Sequence, residues 1–280
     1  MASSDLPPAV LRGVGTSAIG VAVIRATETA RPDPLVEDPH AAVLVEQARR
    51  AFVEQAGPEA WARIEHTAGL FHDVEHLIVE EPDGDDQVLD VVADSFRQIV
   101  LGAGLDTRAY RLPLPSDLHV FEIDLPDLFA FKEPALGGAR PVCHRAIVPA
   151  DLRDAWTEDL TSAGLQPGKR TLWLDEGSLP YLPIDDRLAA LGRVARSSAP
   201  GSRLISAVVR VDQDDPAYRA LAHVVPGDGS ARGVPPDAVL EWFGQPGRRT
   251  TLHPHDEVAE RHGRAGGGDP RSGYLVGEFS

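Results

Sequence analysis

The chain has 280 residues, 42% of them apolar, and a formal charge of −16 at pH 7. That length allows one large α/β domain, or a domain with an appended cap, with enough apolar residues for a sizeable core. The acidic balance argues against nucleic acid and anionic membrane as partners. Cys143 is the single cysteine, which leaves no intrachain disulfide or cysteine-based zinc site; it reads as a packed small residue. Lys132 and Lys169 are the only lysines, so nearly all the positive charge is arginine. Asp5 and two prolines stand where a signal peptide needs a basic region, and the apolar run 13–24 stops at Arg25, too short to span a bilayer. A cytoplasmic protein is expected.

From the start of the chain, residues 14–31 read as a helix ended by Pro32-Asp33-Pro34, and 38–55 and 58–80 as two more amphipathic helices. No strand signal occurs in this first quarter, which predicts a helical N-terminal cap over residues 1–85. The stretch Glu81 to Asp86, EPDGDD, reads as a loop, and 88–95 as a helix leading into the core, residues 86–280. Strands are predicted at 98–102, 119–124, 146–150, 171–175 and 203–209, with helices at 126–132, 153–163 and 185–198 between them. This spacing is that of βαβ units and a parallel sheet covered on both faces. Further on come a loop at 226–230, a short helix at 236–243, and strands at 248–253 and 274–279 that finish the sheet as an antiparallel edge. The glycines of 264–270 read as a flexible loop, because no strand precedes them to make a phosphate cradle.

The first strand, Gln98-Ile99-Val100-Leu101, closes on Gly102-Ala103-Gly104. Glycines there permit positive φ and close approach of a ligand to the main chain. A dinucleotide fingerprint wants a third glycine where Thr107 stands, and Asp106 beside it would repel a diphosphate. Later strand ends carry Glu122, Asp124, Asp151 and Glu176. A crevice ringed by acids suits a ligand with hydroxyls and positive charge, and S-adenosylmethionine has a ribose diol, an ammonium and a sulfonium. The bland alternative is that the acids cap the helices that follow the strands.

LGAGLDTRAYRL, VFEIDLP, ADLR and LDEGSLPYLP, in that order, resemble the leucine carboxyl methyltransferase-like family of S-adenosylmethionine-dependent methyltransferases, and most closely its bacterial O-methyltransferase branch. The likeness runs from about Gly13 onward. It implies a Rossmann-like class I methyltransferase sheet, mostly parallel with an antiparallel edge, plus the helical cap. It places Gly102, Ala103 and Gly104, with Asp106 and Thr107 in the same loop, against the cofactor. Asp124 and Leu125 would hold the ribose, with Glu122, two residues earlier, as the rival acid. The resemblance assigns Asp151 and Leu152 to the adenine and Glu176 to the amino acid end. Arg153 and Tyr181 become substrate-contact candidates near the crevice mouth, although Arg153 reads equally as a surface residue pairing with Asp154 or Glu158. Relatives also carry a cap arginine that clamps the cofactor's carboxylate. Here the matching stretch, Thr67 to Asp73, has none, and Arg63, His66 or His72 would have to substitute.

The chemistry implied is in-line displacement driven by alignment. A carboxylate acceptor needs no base, whereas a hydroxyl acceptor calls for one, usually histidine. His66, His72, His76, His223, His253, His255 and His262 are the candidates, each read as a surface or packed residue. His253 and His255 mimic a metal pair only superficially, and no metal is expected. The reading is an O-methyltransferase acting on a carboxylate or hydroxyl of a small molecule of polyketide-like, natural-product type, compatible with a homo-oligomer. The alternatives are a family member that binds the cofactor without transferring methyl, and a nicotinamide-dependent oxidoreductase.

Overall fold

The computed structural model describes residues 14–73, 76–208, 237–264 and 272–280. Three helices open it: α1 (Val14–Thr29), α2 (Pro39–Ala56) and α3 (Pro58–Asp73). Asp38 starts α2 by accepting from the amides of His40 and Ala41, both at 3.0 Å, with Pro39 in the first turn. Gly57, at φ 82°, ends it. The buried faces of α1–α3, including Ile19, Leu44, Trp61 and Ile64, close over Leu128 and Phe131 of a core helix. The cap is therefore fastened to the sheet layer by apolar burial.

Helix α4 (His76–Ala93) overturns the loop expected at 81–86. That stretch is polar because of what it meets. Gly84 lets the helix approach Glu176 and Arg108 more closely than any side chain would allow, and Asp85 is buried in ion pairs with Arg108 and Arg111. Val88 and Val91, one turn on, pack against the sheet. Tertiary partners outweigh the local turn signal here.

The core continues as β1 (Gln98–Gly102), α5 (Arg108–Arg111), β2 (His119–Asp124), α6 (Pro126–Ala135), β3 (His144–Pro149), α7 (Thr157–Ser162), β4 (Thr171–Asp175), a 3-10 turn (Leu179–Tyr181), α8 (Ile184–Arg196) and β5 (Arg203–Val208). It ends with α9 (Asp237–Phe243), β6 (Arg248–Pro254), α10 (His255–Arg261) and β7 (Gly273–Phe279). Strand order is β3-β2-β1-β4-β5-β7-β6. The first five strands are parallel, and β7 and β6 are each antiparallel to their neighbour. Register pairs Val100 with Phe121 and Trp173 on one face, and Ile99 with Val120 and Leu172 on the other. One core therefore lies under α7, α8 and α9, and a second under α4. Burial on both faces explains why these strands read as continuous apolar runs.

Three smaller differences from expectation have local causes. β3 begins two residues early because His144 and Arg145 pair with His119 and Val120. The helix expected from 153 begins at Thr157, since Asp151 turns the preceding segment by accepting from the Arg153 amide at 2.9 Å. α10 was not expected at all; Pro254 stands before it and acids fill its first turn. The loop at 226–230, Val209, Pro236, His223 and the glycines at 266–268 lie outside the described residues. Among the described residues, no helix is long and apolar enough to cross a membrane.

Candidate functional site

Sheet order reverses between β1 and β4, and the crevice outside their carboxyl ends is where such sheets bind ligands. The chain after β1 folds back tightly: the Ala103 amide donates to Ile123 O at 3.0 Å and that of Asp106 to Ala103 O at 2.8 Å. A Cβ on Gly102 would overlap Ser178 Oγ, so only glycine lets this turn lie against the segment after β4. Gly104 has φ +43°, with Ala18 of α1 in contact range of any side chain it might carry. The cap thus stands directly above the glycine turn.

Asp124 ends β2 in the crevice. Its Oδ2 accepts from the Gly104 amide at 2.8 Å and its Oδ1 from the Leu125 amide at 2.7 Å. Burial pushes its pKa up, and those two amides oppose the shift. Each oxygen keeps a lone pair, which is what a vicinal diol requires. Leu125 remains 40% exposed at the lip. Glu122, the rival, is fully enclosed by Lys132 Nζ at 2.7 Å and by Arg145 Nε and Nη2, each at 2.7 Å. Its carboxylate serves the fold, which leaves Asp124 as the acid facing the crevice.

Asp106 and Thr107 also turn inward. Asp106 accepts from the Arg108 amide and from Arg108 Nη1, both at 2.6 Å. Burial raises its pKa, but Arg108, Lys132, Arg111 and Arg25 outweigh that and hold it at about 2. Thr107 Oγ1 donates to Asp38 Oδ2 at 2.7 Å, and Arg25 joins Asp38 to the loop through Nε at 3.0 Å and through Nη2 to Leu105 O at 2.5 Å. These side chains seat the cap on the glycine loop.

At the end of β4, Glu176 meets Arg108 through both oxygens and accepts from Tyr274 Oη at 3.0 Å. Arg108, almost wholly buried, also holds Asp85 at 2.6 Å. Arg108, Asp85 and Tyr274 were not foreseen; the only signal was the arginine inside the GLDTRAYR motif. At the end of β3, Asp151 is gripped by the exposed Arg153, whose Nε lies 2.9 Å and 3.0 Å from its two oxygens and whose Nη2 lies 2.5 Å from Oδ2. The arginine holds the Asp151 pKa low. Leu152 packs beside the core, and its carbonyl accepts from the Trp156 indole at 3.2 Å. Tyr181, half-buried, closes the 3-10 turn through its amide to Ser178 O at 3.2 Å.

None of the described histidines hydrogen-bonds to Asp124, held by the Gly104 and Leu125 amides, or to Asp151, held by Arg153. His255 is buried edge-on against Tyr274, His119 and His144 stack at the opposite end of β2 and β3, and His40 tilts on Tyr110. His262 faces Asp86 at 3.7 Å, and His66 is exposed on α3. The side chains of His72 and His76 lie outside the described residues. Arg63 is exposed on α3, and Gly69 has open space around it. Among the described residues no cluster of three or more metal-ligating side chains occurs.

The glycine turn that a Cβ would close, the oriented Asp124 carboxylate and the acids Asp151 and Glu176 fit a nucleoside with a cationic tail. Comparison with known proteins points the same way. A family model described as leucine carboxyl methyltransferase matches residues 18–195. A protein of Mycolicibacterium paratuberculosis named as an inferred S-adenosyl-L-methionine-dependent methyltransferase is 39% identical over 239 residues, 78% of this chain and 74% of its own. A Frankia alni protein of the same description is 36% identical across 94% of both chains. Among solved structures, an inferred methyltransferase from Thermobifida fusca matches with a TM-score of 0.51 at 18% identity, covering 99% of this chain and 100% of its own. That last likeness concerns the fold.

Proposed function

The chain belongs to the leucine carboxyl methyltransferase family and is an S-adenosylmethionine-dependent methyltransferase, and from that premise we propose that it methylates an oxygen, the carboxylate of a small molecule. The observation that carries the cofactor assignment is Asp124, a half-buried carboxylate held by two amides with a lone pair on each oxygen left for a diol. In this reading Asp124 and Leu125 hold the ribose, Gly102, Ala103 and Gly104 bring the main chain close, Asp151 and Leu152 take the adenine, and Glu176 faces the amino acid end. Arg153 must yield its hold on Asp151 for the adenine to bind. S-adenosylmethionine, when bound, supplies an electrophilic methyl group on its sulfonium. The protein's contribution is alignment and exclusion of water, with the cap seated on the glycine loop by Asp38, Arg25 and Thr107.

The family's description favours a carboxyl acceptor, and physical chemistry agrees, because a carboxylate is ionised at neutral pH and needs no general base. Natural-product acids of polyketide type fall within this class. The acid ring disfavours a nicotinamide phosphate. A lone buried thiol, Cys143, suits a reducing cytoplasm.

The test uses methyl-labelled S-adenosylmethionine with a panel of small carboxylic acids and phenols. Ester products release their label as methanol in alkali, whereas ethers do not. Alkali-labile label from the acids supports the proposal. Alkali-stable label from phenols, with the acids inert, refutes it and returns the search to a histidine base.

A further inference from the structure

Among the described residues, most arginines around the crevice meet an acid; Arg193 lies on the carbonyls of Leu152 and Arg153 instead, and Arg187 stands apart from both cases. Arg25 meets Asp38, Arg108 meets Asp85, Asp106 and Glu176, Arg111 meets Asp85, and Arg153 meets Asp151. Arg187 meets no carboxylate among the described residues. It lies in the first turn of α8, only 6% exposed. Its guanidinium folds back under the 3-10 turn, where Nη2 donates to Pro180 O at 2.9 Å, and its buried Nε has no partner among the described residues. Arg248 also lacks an acid, but it lies 3.6 Å from the Trp242 ring centroid near β6.

The acid that Arg187 feels is Asp175, at the crevice end of β4, yet that carboxylate is already satisfied. Its Oδ1 accepts from the amides of Ser178 and Leu179 at 2.8 Å and 3.0 Å, and its Oδ2 from Ser206 Oγ at 3.0 Å. Burial moreover pulls the Arg187 pKa below that of an ordinary arginine, with Asp175 opposing. A buried guanidinium without its own acid is a liability to the fold. A buried guanidinium with its Nε unspent, on the turn that follows β4, has the planar donor geometry that a carboxylate matches.

We propose that Arg187 holds a ligand carboxylate in the crevice, either that of the cofactor's amino acid end or that of the acceptor. The inference rests on the methyltransferase reading above. It would also explain how the chain manages without a cap arginine between Thr67 and Asp73.

Calorimetry on the full chain tests it, comparing wild type with Arg187→Met and Arg187→Lys. The probes are S-adenosylhomocysteine, methylthioadenosine (the same nucleoside thioether without the carboxylate), and benzoate added to the S-adenosylhomocysteine complex. Arg187→Met should lose about 10- to 150-fold in affinity for one carboxylate-bearing probe, with methylthioadenosine unchanged. Loss on S-adenosylhomocysteine assigns the cofactor's carboxylate; loss on benzoate alone assigns the acceptor's. Arg187→Lys, which keeps the charge without the fork, should fall between. The ligand-free thermal midpoint of Arg187→Met should hold or rise, because an uncompensated buried charge has gone. A lowered midpoint or failure to fold would make Arg187 a structural strut and overturn the proposal. It is also overturned if S-adenosylhomocysteine affinity is unchanged while benzoate binding is unchanged or absent. Equal losses for S-adenosylhomocysteine and methylthioadenosine would do the same. A wild type that binds neither nucleoside would instead refute the underlying cofactor assignment.

Discussion

Replacing Gly84 with alanine sets two magnitudes against each other. Inside a helix such as α4, alanine is ordinarily better than glycine by about 1 kcal/mol. Here the new Cβ would overlap Glu176 Oε1 and stand 2.7 Å from Arg108 Nη2. The carboxylate would have to leave Tyr274 Oη at 3.0 Å and Arg108 Nη2 at 2.9 Å. Bonds to charged groups contribute about 1.5–3 kcal/mol each, so the gross loss is about 3–6 kcal/mol. The Glu176 side chain keeps 20% exposure, and water recovers part of that loss. The net expectation is a destabilisation of about 1–3 kcal/mol. Urea unfolding should show it as a lower midpoint at unchanged slope. If Glu176 faces the amino acid end of the cofactor as proposed, S-adenosylhomocysteine should also bind more weakly. An alanine variant more stable than wild type by the ordinary helix increment would refute the contact and the reasoning built on it.

Asp124→Ala should weaken S-adenosylhomocysteine by about tenfold to over a hundredfold. Wild-type affinity should itself fall on acidification at a pH above the ordinary aspartate value of 3.8, because burial has raised the Asp124 pKa. Glu122→Ala should behave oppositely, costing about 3–5 kcal/mol of stability by stranding Lys132 and Arg145, with little direct effect on binding by the protein that remains folded. Asp106, held at about 2 against an ordinary 3.8, stabilises the fold above its unfolded pKa and loses that contribution as pH falls through its folded one. Between about pH 4 and pH 2, wild type should therefore lose about 2 kcal/mol more than Asp106→Asn in acid unfolding; parallel curves would contradict this. Gly69→Arg enters open space on α3 and should stabilise by about 0.5–1 kcal/mol through helix propensity. Tighter S-adenosylhomocysteine binding in this variant would show that a cap cation is missed, and unchanged binding would show that the carboxylate is already held.

The boundaries of β1, β2 and β4 were legible because strands buried on both faces read as short apolar runs closed by glycine or acid. Asp124 was legible for the same reason, since it ends such a run. Helix α4 was hidden because Gly84 and Asp85 are there for Arg108, Arg111 and Glu176, which lie far along the chain. The inward turn of Asp106 and Thr107 was hidden too; a loop motif says which residues are present but not which way they face. Arg187 could have been found. The buried positions of α8 are Arg187, Ala190, Leu191 and Val194, an apolar stripe at helical spacing with a cation in one of its core slots. A charge in that register is the kind of local inconsistency that marks a site.

The placement of β7 bears on how the molecule is made. It follows β6 in the chain yet lies between β5 and β6 in the sheet, so β6 has no strand to join until β7 has left the ribosome. The parallel half, through β5, can assemble during synthesis, but with an open edge at β5 that invites pairing with another nascent chain. Tyr274, which anchors Glu176, arrives on that same late strand. Ordering of the crevice floor is thereby timed to sheet closure, and a ribosome stalled anywhere before residue 273 would present a sheet without a working site.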